Sequence, residues 1–96
     1  MAVLDLLGRR WALRVLWELR IGPAPTFREL QALCGGISSS VLSDRLTELT
    51  DSGIVARAEE GGYTLTAQGR NLLTVLAPLN DWAVAWARQR GPARGT

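Results

Sequence analysis

From Arg9 to Arg20 the apolar residues recur at the helical repeat, with Trp11, Ala12, Val15, Leu16 and Leu19 along one face. Leu13 and Trp17, four apart, form a second apolar line. A helix apolar on two sides is buried on two sides, so one face is assigned to the core and the other to a second subunit. The stretch "IGPAP" at 21–25 ends this helix, because neither proline fits a helix interior. Thr26 opens the next one: its hydroxyl caps the first turn while Glu29 reaches back to the Thr26 amide, the reciprocal arrangement of a capping box. Phe27, Leu30 and Leu33 give that helix its buried face, and Cys34-Gly35-Gly36 closes it in a tight turn.

Ser38 caps a third helix over about 39–52, with Ile37 placed to staple onto Leu42. Leu42, Leu46 and Leu49 fall within a narrow arc facing the core, so at about 100° per residue Ser40, Asp44, Thr47 and Asp51 point the opposite way. After Gly53 the period changes to two: "IVARAE" and "YTL" flank Glu60-Gly61-Gly62, which predicts a short hairpin. Thr66 then caps a long helix through about Arg90, carrying Leu72, Leu76, Leu79, Trp82, Ala83 and Trp86 along one side. A kink or break is expected at Ala77-Pro78, and Gly91-Pro92 stops the helix. The expected organisation is one domain over 1–90 with a flexible tail over 91–96.

Composition narrows the function. The 96 residues suffice for one core, too thin to need no help from a partner subunit. With no histidine and the single cysteine Cys34, the chain lacks a Ser-His-Asp or Cys-His pair, a His/Cys metal cluster and a disulfide. No two of the nine acidic residues share a signalled apolar pocket, so the reading is a non-enzyme without a cofactor. The beginning lacks the order of a secretion signal and no apolar run approaches membrane-spanning length, which predicts a cytoplasmic protein with no membrane partner. All 11 basic residues are arginines. Their distribution is uneven: residues 1–37 carry +2 and 66–96 carry +3, whereas Asp44, Glu48, Asp51, Glu59 and Glu60 outweigh Arg45 and Arg57 to leave −3 over 38–65.

The predicted order is mainly α with a short β-hairpin, that of a winged helix-turn-helix. "LLGRRWALRVLWEL", "TFRELQALCGGISSSVLSDRLTELTDSGIV" and "YTLTAQGRNLL" together resemble the HxlR-type transcriptional regulators, relatives of the MarR family, over about residues 6–86. The most specific part is "GIS" followed by "VLSDRLTEL" and "SGIV" at matching spacing. The resemblance implies a cytoplasmic bacterial homodimer on a pseudopalindromic operator of double-stranded DNA, paired through its first and last helices. It also implies that the helix at 39–52 enters the major groove and that the hairpin is the wing. The sequence leaves open a rival class, a winged-helix module for ligand sensing or protein interaction with weak or no DNA binding, which the acidic middle segment favours.

On the DNA reading, free amides at the start of the third helix and the Ser38, Ser39 and Ser40 hydroxyls form a phosphate seat. Ser43, Asp44 and Thr47 are the candidates for base edges: a hydroxyl serves either polarity, a carboxylate accepts from cytosine, and a threonine methyl meets a thymine methyl. Arg28, Arg45 and Arg57 are the candidates for phosphates, with Arg45 snorkelling outward from about 60° off the core direction. Glu59 and Glu60 at the wing tip repel phosphate, so binding is expected to be weak, salt-sensitive and borne by few arginines. Leu13, Trp17, Leu79, Trp82 and Trp86 are assigned to the dimer interface; Trp17 and Trp86 could further line a slot between subunits for a planar aromatic small molecule. Cys34 reads as a small apolar filler of the turn, with nothing basic adjoining it to lower its pKa.

Overall fold

The computed structural model describes the backbone of residues 2–95 and the side chains of residues 5–90. The elements run α1 (Ala2–Leu7), α2 (Ala12–Glu18), α3 (Phe27–Cys34), α4 (Ser39–Asp51), β1 (Val55–Arg57), β2 (Tyr63–Leu65) and α5 (Ala67–Gly95). This is the predicted order with one helix added in front.

The first helix of the sequence reading is corrected at its start. Trp11 stands at φ 78° and ψ −10°, a left-handed conformation that a helix interior does not admit, so α2 begins at Ala12 and Arg9 to Trp11 form a corner after α1. The apolar periodicity reaches back to Trp11 because its ring, half-buried against the core, reaches over Gly36. α1 went unpredicted because its six residues are too few to display a repeat. From Ala12 onward the core face holds as predicted: Ala12, Val15, Leu16 and Leu19 are buried.

The next two helices start where their caps direct. The Thr26 hydroxyl accepts from the Glu29 amide at 3.2 Å while the Glu29 carboxylate accepts from the Thr26 amide at 2.9 Å. Ser38 accepts from the Val41 amide at 3.2 Å, and α4 follows with Leu42, Leu46 and Leu49 buried. Each such leucine contributes about 1.5–3 kcal/mol of apolar transfer, and with Val15, Leu16, Leu30, Ile54, Val55 and Leu65 they form one cluster.

The hairpin is shorter than predicted. Its strands pair antiparallel with Val55 opposite Leu65, Ala56 opposite Thr64 and Arg57 opposite Tyr63, and the turn takes Ala58 as well as the expected residues, the Ala58 amide donating to the Gly62 carbonyl at 3.0 Å. A second staple reaches outside the hairpin, from the Tyr63 amide to the Pro25 carbonyl at 2.9 Å. That closeness explains Gly62: any Cβ there would lie 2.7 Å from the Pro25 carbonyl oxygen, and its φ of +84° already disfavours a side chain.

Thr66 caps α5 as predicted, accepting from the Gly69 amide at 3.0 Å while its own hydroxyl is within 2.6 Å of the Gly53 carbonyl. Gly69 is buried, and a Cβ on it would collide with the Ile54 carbonyl oxygen, so the first turn of α5 lies against the start of the hairpin. Leu72 and Leu73 complete that contact. Of the kink or break expected at Ala77-Pro78, the break does not occur: α5 is continuous, and because the stretch is exposed, the Thr74 carbonyl that the proline leaves without a helical donor faces solvent. The helix likewise passes Gly91-Pro92, where a stop was predicted, and continues to Gly95; a proline within the last turns forgoes a single bond there. Thr96 lies outside the described residues. The 29 residues of α5 at about 1.5 Å each set the long axis of the 47 × 26 × 26 Å molecule.

Candidate nucleic-acid interface

α4 presents a polar outer face on a rigid base. Its three buried leucines fix the rotation of the helix, which leaves Ser39, Ser40, Ser43, Asp44, Thr47 and Asp51 exposed. At its front end Ser38 is partly committed: its oxygen caps the Val41 amide and lies 3.4 Å from the Ser40 hydroxyl. The remaining free amides of the first turn, with Ser39 and Ser40 beside them, form an electropositive end open to solvent. Asp44 takes part in no ion pair among the described residues.

Beside this face lies the hairpin. Phe27, Ser43, Thr47, Asp51, Arg57 and Tyr63 line a cleft of about 370 Å³ between α4 and the strands. Arg57 is exposed but oriented, donating to the Tyr63 hydroxyl at 2.8 Å with its guanidinium 5.0 Å above the Tyr63 ring. Arg28 is exposed in the first turn of α3, and Glu59 and Glu60 are exposed at the hairpin tip. Of the predicted contact residues, then, the structure gathers the serines, Asp44, Thr47 and Arg57 around one cleft and one helix face.

Arg45 is the exception and a correction. Its side chain is only 13% exposed, its Nε lies 3.1 Å from a Glu48 oxygen, and its Nη1 donates to the Arg10 carbonyl at 3.1 Å. It is a strut between α4 and the corner before α2, not a residue extended toward solvent. The partner that captures it, Glu48, also receives Arg9 at 3.5 Å. The i, i+3 spacing of Arg45 and Glu48 was visible in the sequence; the corner 35 residues upstream that completes the knot was not.

Of the residues assigned to a subunit interface, all but the half-buried Trp17 are exposed. Leu13 is 44% exposed, Leu79 53%, Trp82 61% and Trp86 46%. Leu13, Trp17, Leu73, Leu76, Leu79 and Ala83 line a groove of about 420 Å³ between α2 and α5. Trp17 forms its aromatic wall, with the Arg20 guanidinium 4.0 Å from the ring centroid. Trp86 does not border this groove: it stacks on Trp82 one turn earlier, centroids 5.9 Å apart at 11°. Trp17 and Trp86 therefore do not face each other within one chain.

Cys34 is buried, and burial pushes its thiol above the ordinary value although Arg14 lies near enough to pull it down. The expectation that nothing basic adjoins it is thus corrected; Arg14, anchored on the Leu33 carbonyl at 3.0 Å, does adjoin it, and desolvation outweighs the attraction. Among the described residues no helix is long and apolar enough to cross a membrane.

Comparison with known proteins places this geometry. The family model described as HxlR-like helix-turn-helix matches residues 6–91. The HTH-type transcriptional regulator YvaP of Bacillus subtilis is 33% identical over 85% of this chain and 81% of its own length. Among solved structures, one described as a possible HxlR family transcriptional factor from Thermoplasma volcanium superposes with a TM-score of 0.82 at 34% identity, covering 90% of this chain and 82% of that one. The quinone-bound structure of YodB from Bacillus subtilis superposes with a TM-score of 0.78 at 34% identity, covering 88% of this chain and 92% of its own.

Proposed function

The chain belongs to the HxlR-like helix-turn-helix family and is a DNA-binding transcriptional regulator, not an enzyme; from that premise we propose that it acts as a cytoplasmic homodimer on a pseudopalindromic operator. The observation that carries this reading is the exposed polar face of α4 beside the hairpin. In the proposed complex α4 lies in the major groove, which is wide enough for one helix. Its serine-capped front end and Arg28 and Arg57 meet phosphates, while Ser43, Asp44 and Thr47 meet base edges. A twin chain presents its α4 about one DNA turn, roughly 34 Å, away. The seam is made by Leu13 and Trp17 of α2 with Leu79, Trp82 and Trp86 of α5; all but the half-buried Trp17 are exposed in the single chain, and a subunit contact removes that exposure. Residues 1–90 serve as one domain for both tasks.

The groove beside Trp17 is an effector site for a planar aromatic compound in this proposal, supported by its apolar lining and by the quinone bound to the related YodB. Tryptophan quenching by a panel of quinones and flat heteroaromatics tests it, and a Trp17→Leu variant should lose the response.

A mobility shift with the DNA upstream of the chain's own gene tests the operator reading, with Thr47→Asp beside the parent. Thr47 is exposed, so the variant should unfold at the parent's temperature while its affinity drops at least tenfold, because the methyl contact with a base edge is lost and a further negative charge enters the groove. A parent that shifts no duplex at low salt favours the rival reading, in which exposed Asp44, Glu59 and Glu60 leave a module without useful DNA affinity.

A further inference from the structure

Two exposed arginines, Arg9 and Arg10, belong neither to the α4 face nor to the α2–α5 groove. Arg9 and Arg10 are exposed in the corner between α1 and α2, and with Trp11 and Arg14 they rim an open concavity of about 470 Å³ that no acidic side chain lines. The left-handed turn at Trp11 sets the course of this corner, and the Arg10 guanidinium stands 5.9 Å from the Trp11 ring centroid. The corner is fastened to α4: Arg45 donates to the Arg10 carbonyl at 3.1 Å, and Arg9 reaches Glu48 at 3.5 Å.

Helical geometry locates the corner relative to the proposed reading face. At about 100° per residue, Arg45 and Glu48 project from one flank of α4 and Ser43 and Thr50 from the opposite flank. Ser43 and Thr50 are among the α4 residues that line the cleft toward the hairpin. α4 is therefore bracketed, by the hairpin on one side and by the arginine corner on the other.

We infer that Arg9 and Arg10 form a phosphate clamp that grips the DNA backbone on the side of α4 away from the hairpin. The inference rests on α4 being the helix that enters the major groove. A helix about 10–12 Å across in a groove about 12 Å wide has a phosphate strand along each flank, so whatever protrudes beside α4 meets one of them. The two flanks differ in sign. On the hairpin side Arg57 is shared with Tyr63, and Glu59 and Glu60 repel phosphate. On the corner side Arg10 is in no ion pair among the described residues, and Arg9, 55% exposed, is in a long surface pair with Glu48 that a phosphate oxygen can replace. The corner flank therefore grips the duplex more strongly than the hairpin flank, where Glu59 and Glu60 oppose the contact that Arg57 makes.

The test is a salt titration of affinity for duplex DNA using the full chain, Arg9→Gln/Arg10→Gln, and Arg20→Gln/Arg88→Gln as a control. The control removes the same charge from a residue folded onto Trp17 and from the far part of α5. If the clamp exists, four phosphate contacts vanish per dimer and the slope of log K against log salt falls by about 3–4, at roughly 0.9 per phosphate, equally on operator and random sequence. The control slope should change by less than one. An Arg9→Gln/Arg10→Gln slope no lower than the control's, in a variant with the parent's circular dichroism, overturns the clamp alone. A parent that binds no duplex at any salt overturns the reading of α4 and the clamp with it.

Discussion

α4 and α5 are built on the same alternation of leucines, yet one is finished within the chain and the other is not. The 13 residues of α4 bury Leu42, Leu46 and Leu49 and turn hydroxyl and carboxylate groups outward, so nothing on it calls for a further protein surface. The 29 residues of α5 do both jobs in succession. Gly69, Leu72 and Leu73 pack on the core, whereas Val75, Leu79, Trp82, Val84 and Trp86 lie open to water. Exposed tryptophans one turn apart, stacked on each other with the Arg90 guanidinium 4.7 Å from the Trp86 ring centroid, are apolar surface whose transfer free energy has yet to be realised. The difference teaches that polarity, not helix propensity, separates a surface meant for a charged polymer from one meant for another protein.

The largest expected effect tests the packed end of α5. Gly69→Ala places a methyl group against the Ile54 carbonyl oxygen, a backbone atom that cannot turn aside, and should destabilise the fold by about 3 kcal/mol. Chemical denaturation measures it. Trp86→Ala at the open end should leave single-chain stability within about 0.5 kcal/mol, and an equal loss at both positions would erase the contrast drawn within α5.

The next effect separates the two helices by function. Leu79→Glu sets a charge into the exposed apolar stretch and should convert the proposed dimer to monomers at micromolar concentration, read by sedimentation. Because two half-sites then act independently, operator affinity should fall on the order of 10²-fold although α4 is untouched. A monomeric parent overturns the dimer, and a variant that remains dimeric places the subunit seam elsewhere.

Much of this contrast was legible before any coordinates, and the part that was not shares one cause. The caps at Thr26, Ser38 and Thr66 are local chemistry, three or four residues wide, and each stands where predicted. So are the leucine arc of α4 and the hairpin. What the sequence concealed depends on residues far apart in the chain. The left-handed Trp11 depends on the ring finding the core and Gly36; the capture of Arg45 depends on a carbonyl at Arg10; the need for glycine at 62 and 69 depends on Pro25 and Ile54. Of the candidate interface, the hydroxyl and carboxylate face of α4 could be read from helical phase, while the arginine corner needed the fold to bring it alongside.

A smaller effect probes how far α4 is self-sufficient. Ser38→Ala removes the acceptor for the Val41 amide and should cost about 1 kcal/mol, whereas Ser38→Asp should restore it. The same aspartate faces the proposed phosphate seat, so it should weaken DNA binding while repairing stability. Movement of both quantities in the same direction would mean that the front of α4 is a cap and nothing more.

The smallest effect concerns Cys34, where α3 turns toward α4. Burial raises its thiol above the ordinary value of 9.0 despite the pull of Arg14, so the folded chain holds that proton more tightly than the unfolded one. Below about pH 9 both states are protonated and the group adds no pH dependence. Above it the unfolded chain releases the proton first, so stability declines with rising pH until the folded thiol also ionises. Cys34→Ala should flatten this alkaline decline relative to the parent, and a neutral-pH thiol reagent should modify the native protein far more slowly than the unfolded chain. Prompt labelling of native protein would show that the turn opens readily, and the base on which α4 stands would then be less rigid than its buried leucines imply.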